Sequence, residues 1–429
     1  MAAPRVRFVF VDAGGPGASG RDDILFCRCG VFATFRGGPA FANQSASHKL
    51  TPMPPPNDTA WTWLRNGDEA FAAMLAAIDA ARESICLEIY TYSAGPLGVR
   101  FREALVRARQ RGVGVRVLVD AFGSLSLPDG FWSPLRAAGG EARFFNPVAL
   151  NRFEIRNHRK LLVCDETVAF VGGFNIASEY EGDGVTRGWR DLGLSVTGPL
   201  AAQLAASFDE MFALAEFRHK RFARLRRPVF RQTVASAAEQ LLLSGPGRGF
   251  NRIRRVLRKD LARARNAQVM VGYFLPTGRL RRALQRVARH GQLRLLLAAK
   301  SDVLLAQLAG QSLYRRFLKA GAEIYEYEPQ ILHAKLFIVD NAVYVGSANL
   351  DPRSLGINYE LVIRFENPKM AAEARAIFGD ALQHCRRIDP AEWRRARTFW
   401  GQLKRRWAYF LLARIDPYVA RRQWRALPD

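Results

Sequence analysis

The chain has 429 residues, 49% of them hydrophobic and 24% charged, and its 64 Lys and Arg against 39 Asp and Glu leave a net charge of +25. These fractions exclude a disordered chain and an integral membrane bundle, and without a run of eighteen apolar residues any membrane contact is expected to be peripheral. The positive balance points to phosphate, on nucleic acid or on an anionic bilayer, without separating the two.

Residues 1–55 hold Gly and Ala clusters and no apolar run of secretory type, so they are expected to be an extension unrelated to the rest, with Met53 before Pro54-Pro55-Pro56 as an alternative start. The five cysteines show no disulfide framework. Cys27-x-Cys29 lacks the second pair a zinc site needs, and a reducing compartment is expected. Ordered structure is expected from 56 to 222. Phe71, Met74, Leu75 and Ile78 recur at helical spacing behind a cap at Asn66 or Asp68. Ile85–Tyr92 reads as a strand, Phe101 to Val106 as a helix, and Val113–Asp120 as a second strand, which is a βαβ unit.

After a Pro- and Gly-containing stretch, 223–249, expected to be a linker, the same succession returns over 250–385. Arg252–Leu261 is helical, Val269–Phe274 a strand, Leu280–His290 a helix and Gln292–Leu297 a strand. The fold class expected is therefore α/β, two similar lobes of mixed, mostly parallel sheets covered by helices.

Each lobe ends in one chemical pattern. His158-Arg-Lys160-x4-Asp165 is followed by Gly172-Gly173-Phe-Asn175, and His333-Ala-Lys335-x4-Asp340 by Gly346-Ser347-Ala-Asn349. Residues two apart in a strand share a face, so each His can converge with its Lys on one phosphate, with amide donors from Asn175 and Asn349. Two imidazoles can divide the work of a phosphodiester exchange, one attacking phosphorus and one moving the proton, and neither metal nor other cofactor is required. One such pattern alone is common by chance. Two in duplicated halves are not.

The paired motifs resemble those of the phospholipase D superfamily over roughly Trp61 to Arg386. Gly172-Gly-Phe-Asn175, Arg187-Gly-Trp-Arg-Asp-Leu-Gly193 and Asn349-Leu-Asp-Pro-Arg-Ser-Leu-Gly-Ile-Asn-Tyr-Glu360 are similar to the bacterial cardiolipin synthase branch. The resemblance implies a pseudo-two-fold pair of lobes with one site between them, His158 as nucleophile and His333 as acid/base. It also implies carboxylates bonded across the lobes, Glu360 to His158 and Asp191 to His333; Asp165 and Asp340 are counted with the catalytic residues of the motif but below the His and Lys, since in the family they usually stabilise the local fold. The sequence departs from the pattern at Gly173, where a serine is usual, and in a second-motif turn shorter by one residue.

The implied activity is phosphatidyl transfer between phospholipids. A phospholipase D hydrolase and a nuclease are the alternatives, the latter disfavoured because no nucleic-acid module is evident. Glu88, in the strand before the first motif, either lines the site or is structural. Residues 386–429 mix tryptophans with arginines at helical spacing, which suits the surface of an anionic membrane, on its cytoplasmic face; the alternative is a helix packed on the body of the protein. Nothing in the sequence sets the oligomeric state.

Overall fold

The structure is a computed structural model that describes residues 59–147, 155–216, 238–246, 251–396 and 398–418. The expected N-terminal extension, Cys27 and Cys29 among it, lies outside the described residues. In the first lobe the elements run β1 Ala60–Leu64, α1 Gly67–Ala80, β2 Ser84–Ile89, α2 Pro96–Gln110, β3 Gly114–Asp120, α3 Ser133–Ala137, β4 Glu141–Phe145, β5 Leu161–Cys164, β6 Val168–Gly172, β7 Gly193–Thr197 and α4 Pro199–Glu216. Helix α1 starts where its cap predicts, with the Asn66 side chain accepting from Glu69 N at 2.9 Å while the Glu69 carboxylate takes Arg65 N.

The second lobe repeats the plan with β8 Glu239–Ser244, α5 Arg252–Leu261, β9 Asn266–Val271, α6 Gly278–His290, β10 Gln292–Ala298, α7 Leu304–Leu318, β11 Glu323–Tyr327, β12 Lys335–Val339, β13 Ala342–Gly346, β14 Glu360–Glu366, α8 Pro368–Leu382 and β15 Cys385–Arg387. Two short helices follow, α9 Pro390–Arg395 and α10 Phe399–Phe410, the latter running into a π-helical turn, Leu411–Ile415.

The two sheets have the orders β1-β7-β6-β5-β2-β3-β4 and β15-β11-β10-β9-β12-β13-β14-β8. Both are mixed, as expected, but antiparallel pairings outnumber parallel ones. Among the described strands only β2–β3–β4 and β9–β10–β11 run parallel. The βαβ units supply those pairs, whereas each motif strand turns straight back through a short hairpin into its neighbour, which only antiparallel strands can do. Two expected boundaries also move. The stretch read as a linker contains β8, paired along its length with β14, and the stretch read as the start of the tail contains β15, paired with β11.

The lobes share one apolar core, in which Leu161, Val163 and Leu194 of the first and Leu336, Val343 and Ile363 of the second pack with α4 and α8. Trp61 and Trp63 on β1 both donate to the Glu373 carboxylate of α8, at 2.8 and 3.0 Å, which ties the edge of the first sheet to the second lobe.

Candidate active site

His158 and His333 precede β5 and β12, and each is held by the segment before the carboxylate of the opposite lobe. The His158 amide donates to the Tyr359 carbonyl at 2.9 Å and the Tyr359 amide donates back to the Arg156 carbonyl. The next residue, Glu360, places a carboxylate oxygen 3.0 Å from His158 Nδ1. Across the pseudo-two-fold, the His333 amide donates to the Arg190 carbonyl at 2.7 Å, the Arg190 amide to the Ile331 carbonyl, and Asp191 Oδ2 lies 2.6 Å from His333 Nδ1. One short backbone ladder thus sets both the position and the ring orientation of each histidine. With Nδ1 engaged, Nε2 is the nitrogen left for chemistry.

Both rings line a single cavity of about 550 Å³, together with Asn175 and Asn349. The shorter second turn has not displaced Asn349. Tyr90 meets the His158 ring at 4.8 Å between centroids, and Tyr180 and Trp189 meet the His333 ring at 5.3 and 5.6 Å. These aromatic walls carry no fixed spacing to the motifs, and sequence reasoning did not single them out. Asn175 accepts from Thr91 N at 3.0 Å and donates to the Tyr180 hydroxyl at 2.7 Å, while the buried Asn349 Oδ1 has no partner among the described residues.

Lys160 and Lys335 lie beneath the rings and are not among the residues lining the cavity. The Lys160 ammonium donates to the His158 carbonyl at 2.7 Å and faces the Tyr90 ring. The Lys335 ammonium bonds the His333 carbonyl and lies 2.7 Å from His333 Nδ1. That nitrogen cannot both donate to Asp191 and accept from Lys335; when it carries its hydrogen, Asp191 receives it and Lys335 keeps the carbonyl.

Burial first, then repulsion from the lysines, holds His158 well below the ordinary imidazole range and lowers His333 to about 4 against the pull of Asp191. Burial likewise lowers Lys160 to about 7 and Lys335 to about 8. The two carboxylates part company. Burial raises Glu360 to about 8 despite Lys160 and Ser347, whereas for Asp191 the Lys335 and His333 charges outweigh burial and hold it below the usual range. A cavity of buried cations held short of protons is arranged to gain them when an anion enters.

Asp165 and Asp340, grouped with the histidines and lysines in the motif pattern, are outside the cavity. Each sits at positive φ in the hairpin turn beyond its motif strand, where its carboxylate caps backbone amides: Arg82, Glu83 and Ser84 for Asp165, Arg265 and Asn266 for Asp340. They fasten the motif strand to its neighbour.

The lobes differ in two further places. Ser347 donates to the Glu360 carboxylate, but a Cβ on its counterpart Gly173 would stand 2.1 Å from Asp191 Oδ1, so the missing side chain makes room for the aspartate. Under His158 lies a buried polar network in which Glu88 accepts from Asn157 Nδ2 at 2.7 Å and pairs with Arg159 at 3.1 Å, while Asp120 accepts from Asn157 N. By register with the second motif and strands β9 and β10, the counterparts of Glu88, Asn157, Arg159 and Asp120 are Met270, Leu332, Ala334 and Ala298, all in the apolar core. Glu88 is therefore structural, and it does not line the cavity.

Comparison with known proteins agrees with this architecture. A family model described as cardiolipin synthase, PLD-like domain, matches residues 74–212 and 257–382. Cardiolipin synthase 1 of Bacillus anthracis is 32% identical over 372 residues, covering 83% of this chain and 70% of that protein. Cardiolipin synthase B of Salmonella typhi is 29% identical over 367 residues, covering 83% and 88%. Among solved structures, the phosphatidylserine synthase of Haemophilus influenzae superposes with a TM-score of 0.64 at 14% identity, over 84% of this chain and 94% of that one, a likeness of fold.

Proposed function

The chain belongs to the cardiolipin synthase family with PLD-like domains, and from that membership we propose that it moves a phosphatidyl group from one phospholipid to the hydroxyl of another through a covalent phosphohistidine. The observation that carries the mechanism is the convergence of both histidines, each backed by the other lobe's carboxylate, on one cavity.

His158, its Nδ1 hydrogen directed at Glu360, attacks phosphorus with the Nε2 lone pair. As the N–P bond forms, the bond to the leaving oxygen breaks, and His333 gives that oxygen its Nε2 proton. The acceptor hydroxyl then returns a proton to His333, attacks the same phosphorus and breaks the N–P bond, so both histidines end as they began. The unlike environments support the division of labour. An ionised Asp191 stabilises an imidazolium at His333, while Glu360 is shifted toward its neutral form and leaves His158 uncharged. Asn175 and Asn349 supply amides facing the phosphate, and Lys160 and Lys335 supply positive charge from beneath.

With purified protein and labelled phosphatidylglycerol, the expected products are cardiolipin and glycerol in equal amounts. Phosphatidic acid alone would make the chain a hydrolase, and cleavage of DNA without lipid turnover would make it a nuclease.

On this reading lipid reaches the cavity from a bilayer, and the distribution of exposed apolar side chains supports one face for that contact. Every exposed large hydrophobic side chain among the described residues lies in one of three segments: the loop after β3 (Phe122, Leu125), the approach to α7 (Val303, Leu304, Leu305) and residues 399–418. Phe122, Val303, Leu412 and Asp416 line the cavity itself, so all three segments meet at its mouth. Arg353 clasps Asp416 through three bonds of 2.8 to 3.1 Å and fixes that part of the tail there. The described part of the tail has one face that packs on the body and another that supports the membrane reading. Ala408, Tyr409 and Leu412 pack on the second lobe, while Trp400, Trp407 and Phe410 stand exposed beside arginines.

Among the described residues no helix is long and apolar enough to cross a membrane. Contact is accordingly proposed to be peripheral, on the anionic cytoplasmic face. The triple variant W400A/W407A/F410A is expected to bind phosphatidylglycerol vesicles about tenfold or more weakly in a flotation assay, with turnover of short-chain, monomeric lipid unchanged. Unaltered vesicle binding would remove the tail from the membrane contact.

A further inference from the structure

A second concavity, of about 420 Å³, opens between α7 and α10 on the second lobe, walled by residues that do not line the catalytic cavity. Arg315, Arg316 and Lys319 of α7 face Arg405 and Arg406 of α10 across it, with Trp393 and Tyr409 as its aromatic walls and Gln311 and Gln402 as further amide groups. Among the described residues no carboxylate lines it. None of Arg315, Arg316, Lys319 and Arg406 enters an ion pair among the described residues. Glu326, which Gln311 reaches at 3.5 Å, is already held by Tyr314 and Arg386.

The walls are built and fixed. Trp393 packs against Tyr314 with ring centroids 5.0 Å apart, Arg405 lies 4.8 Å over the Trp393 ring, and Arg281 donates to the Tyr409 hydroxyl at 3.0 Å. The α7 cations alone would be explained by the negative end of the helix dipole, since they occupy its last turn and the residue after it. Arg405 and Arg406 fall in the middle of α10, where no dipole favours them, and they turn toward the same space. Five cations gathered around one concavity repel one another, and a bound anion with several oxygens removes that repulsion.

We propose that this cleft is a second anion-binding site, which takes a phosphate group. Planar guanidinium forks suit phosphate oxygens, and Trp393 and Tyr409 offer apolar cover to whatever the phosphate is esterified to. The phosphate comes either from an anionic lipid headgroup, to which the exposed Trp400 and Trp407 of the same helix would bring it, or from solution. The site stands on its own geometry and is independent of the catalytic reading above.

The test compares the full chain with R315Q/R316Q/R406Q and with R258Q/K259Q/R263Q, which removes three exposed charges on and just after α5. Binding to phosphatidylglycerol vesicles is measured for each with and without inorganic phosphate. The cleft variant is expected to bind at least tenfold more weakly than the α5 variant, with turnover of short-chain monomeric lipid intact in both. If millimolar inorganic phosphate brings the unmodified chain down to the level of the cleft variant, the site takes free phosphate; if it does not, the site takes the headgroup in its bilayer. Equal losses in the two variants would overturn the proposal, because binding would then follow total charge. Loss of monomer turnover in the cleft variant alone would overturn it too, by making the cleft part of the catalytic unit. Loss of vesicle binding without loss of turnover would leave the transfer chemistry standing.

Discussion

His158→Ala is expected to lower phosphatidyl transfer by about 10³-fold or more, and His333→Ala by roughly 10²–10⁴-fold with natural donors. The two losses are not expected to multiply, because the residues act on one pathway and either loss already closes it. What separates them is the leaving group. A donor bearing a nitrophenol departs without needing a proton, so His333→Ala should still form the first covalent bond and accumulate acid-labile, base-stable phosphohistidine. His158→Ala should form none. Label retained in the His158 variant and absent from the His333 variant would reverse the roles. The same cavity makes a calorimetric expectation. Burial and repulsion from the lysines depress both imidazoles, and burial above all brings Lys160 to about 7 and Lys335 to about 8. An entering phosphodiester raises all four, so at neutral pH binding a non-cleavable analogue takes protons up, measured as a heat that varies with the buffer's ionisation enthalpy.

Much of this site was written locally in the chain. A His and a Lys two apart ahead of a β-branched or leucine run, closed by an aspartate and a glycine-led asparagine, encode a strand, a turn and a phosphate-facing edge within eighteen residues. Duplication encoded the pairing of lobes. Asp191 and Glu360 were different. They lie 142 and 202 residues from the rings they hold, and no periodicity links such positions, so resemblance alone pointed to them. The aspartates of the motif were legible as conserved spacing within the chain's own repeat, but their positive φ and amide capping appear only once the hairpin is folded. The linker misled for a physical reason. Its glycines and prolines suggested a connection, yet Leu241-Leu242-Leu243 between them is an edge strand that needs β14 to exist. Local composition could not announce a partner more than a hundred residues away.

The network beneath His158 left one faint trace, the contrast between Arg159 and Ala334 at the same place in the two motifs. Arg159 is fully buried, with Glu88 and Ser207 as partners. Keeping an ion pair there costs desolvation that the second lobe avoids with Met270 and Ala334. The strand under the first histidine is thereby fixed by polar bonds, while the strand under the second is fixed by packing, and only the folded pairing of β2 with β5 reveals that difference.

Asp191→Asn is expected to lower transfer by roughly 10²–10⁴-fold, more than the matching change at Glu360. Asp191 is the carboxylate held ionised, by Lys335 and His333 together, and it is the group that can support a protonated His333. An amide in its place keeps a contact to Nδ1 but withdraws the charge, so the pKa of His333 falls further. His333 must carry a proton to release the leaving alcohol, and activity declines as pH rises through its pKa in the complex. The limb of the pH profile on the alkaline side should therefore move toward lower pH in Asp191→Asn, with part of the rate recovered in acid. Glu360 has Ser347 as a second donor and is itself shifted toward neutrality, so Glu360→Gln should cost less and leave that limb in place. Gly173→Ser gives an independent check. Its Cβ would stand within 2.6 Å of three atoms of the Asp191 carboxylate, so the larger residue should push the carboxylate off Nδ1 and reproduce both the loss and the acid shift. A Gly173→Ser enzyme with full activity and an unmoved profile would mean that Asp191 does not act through His333.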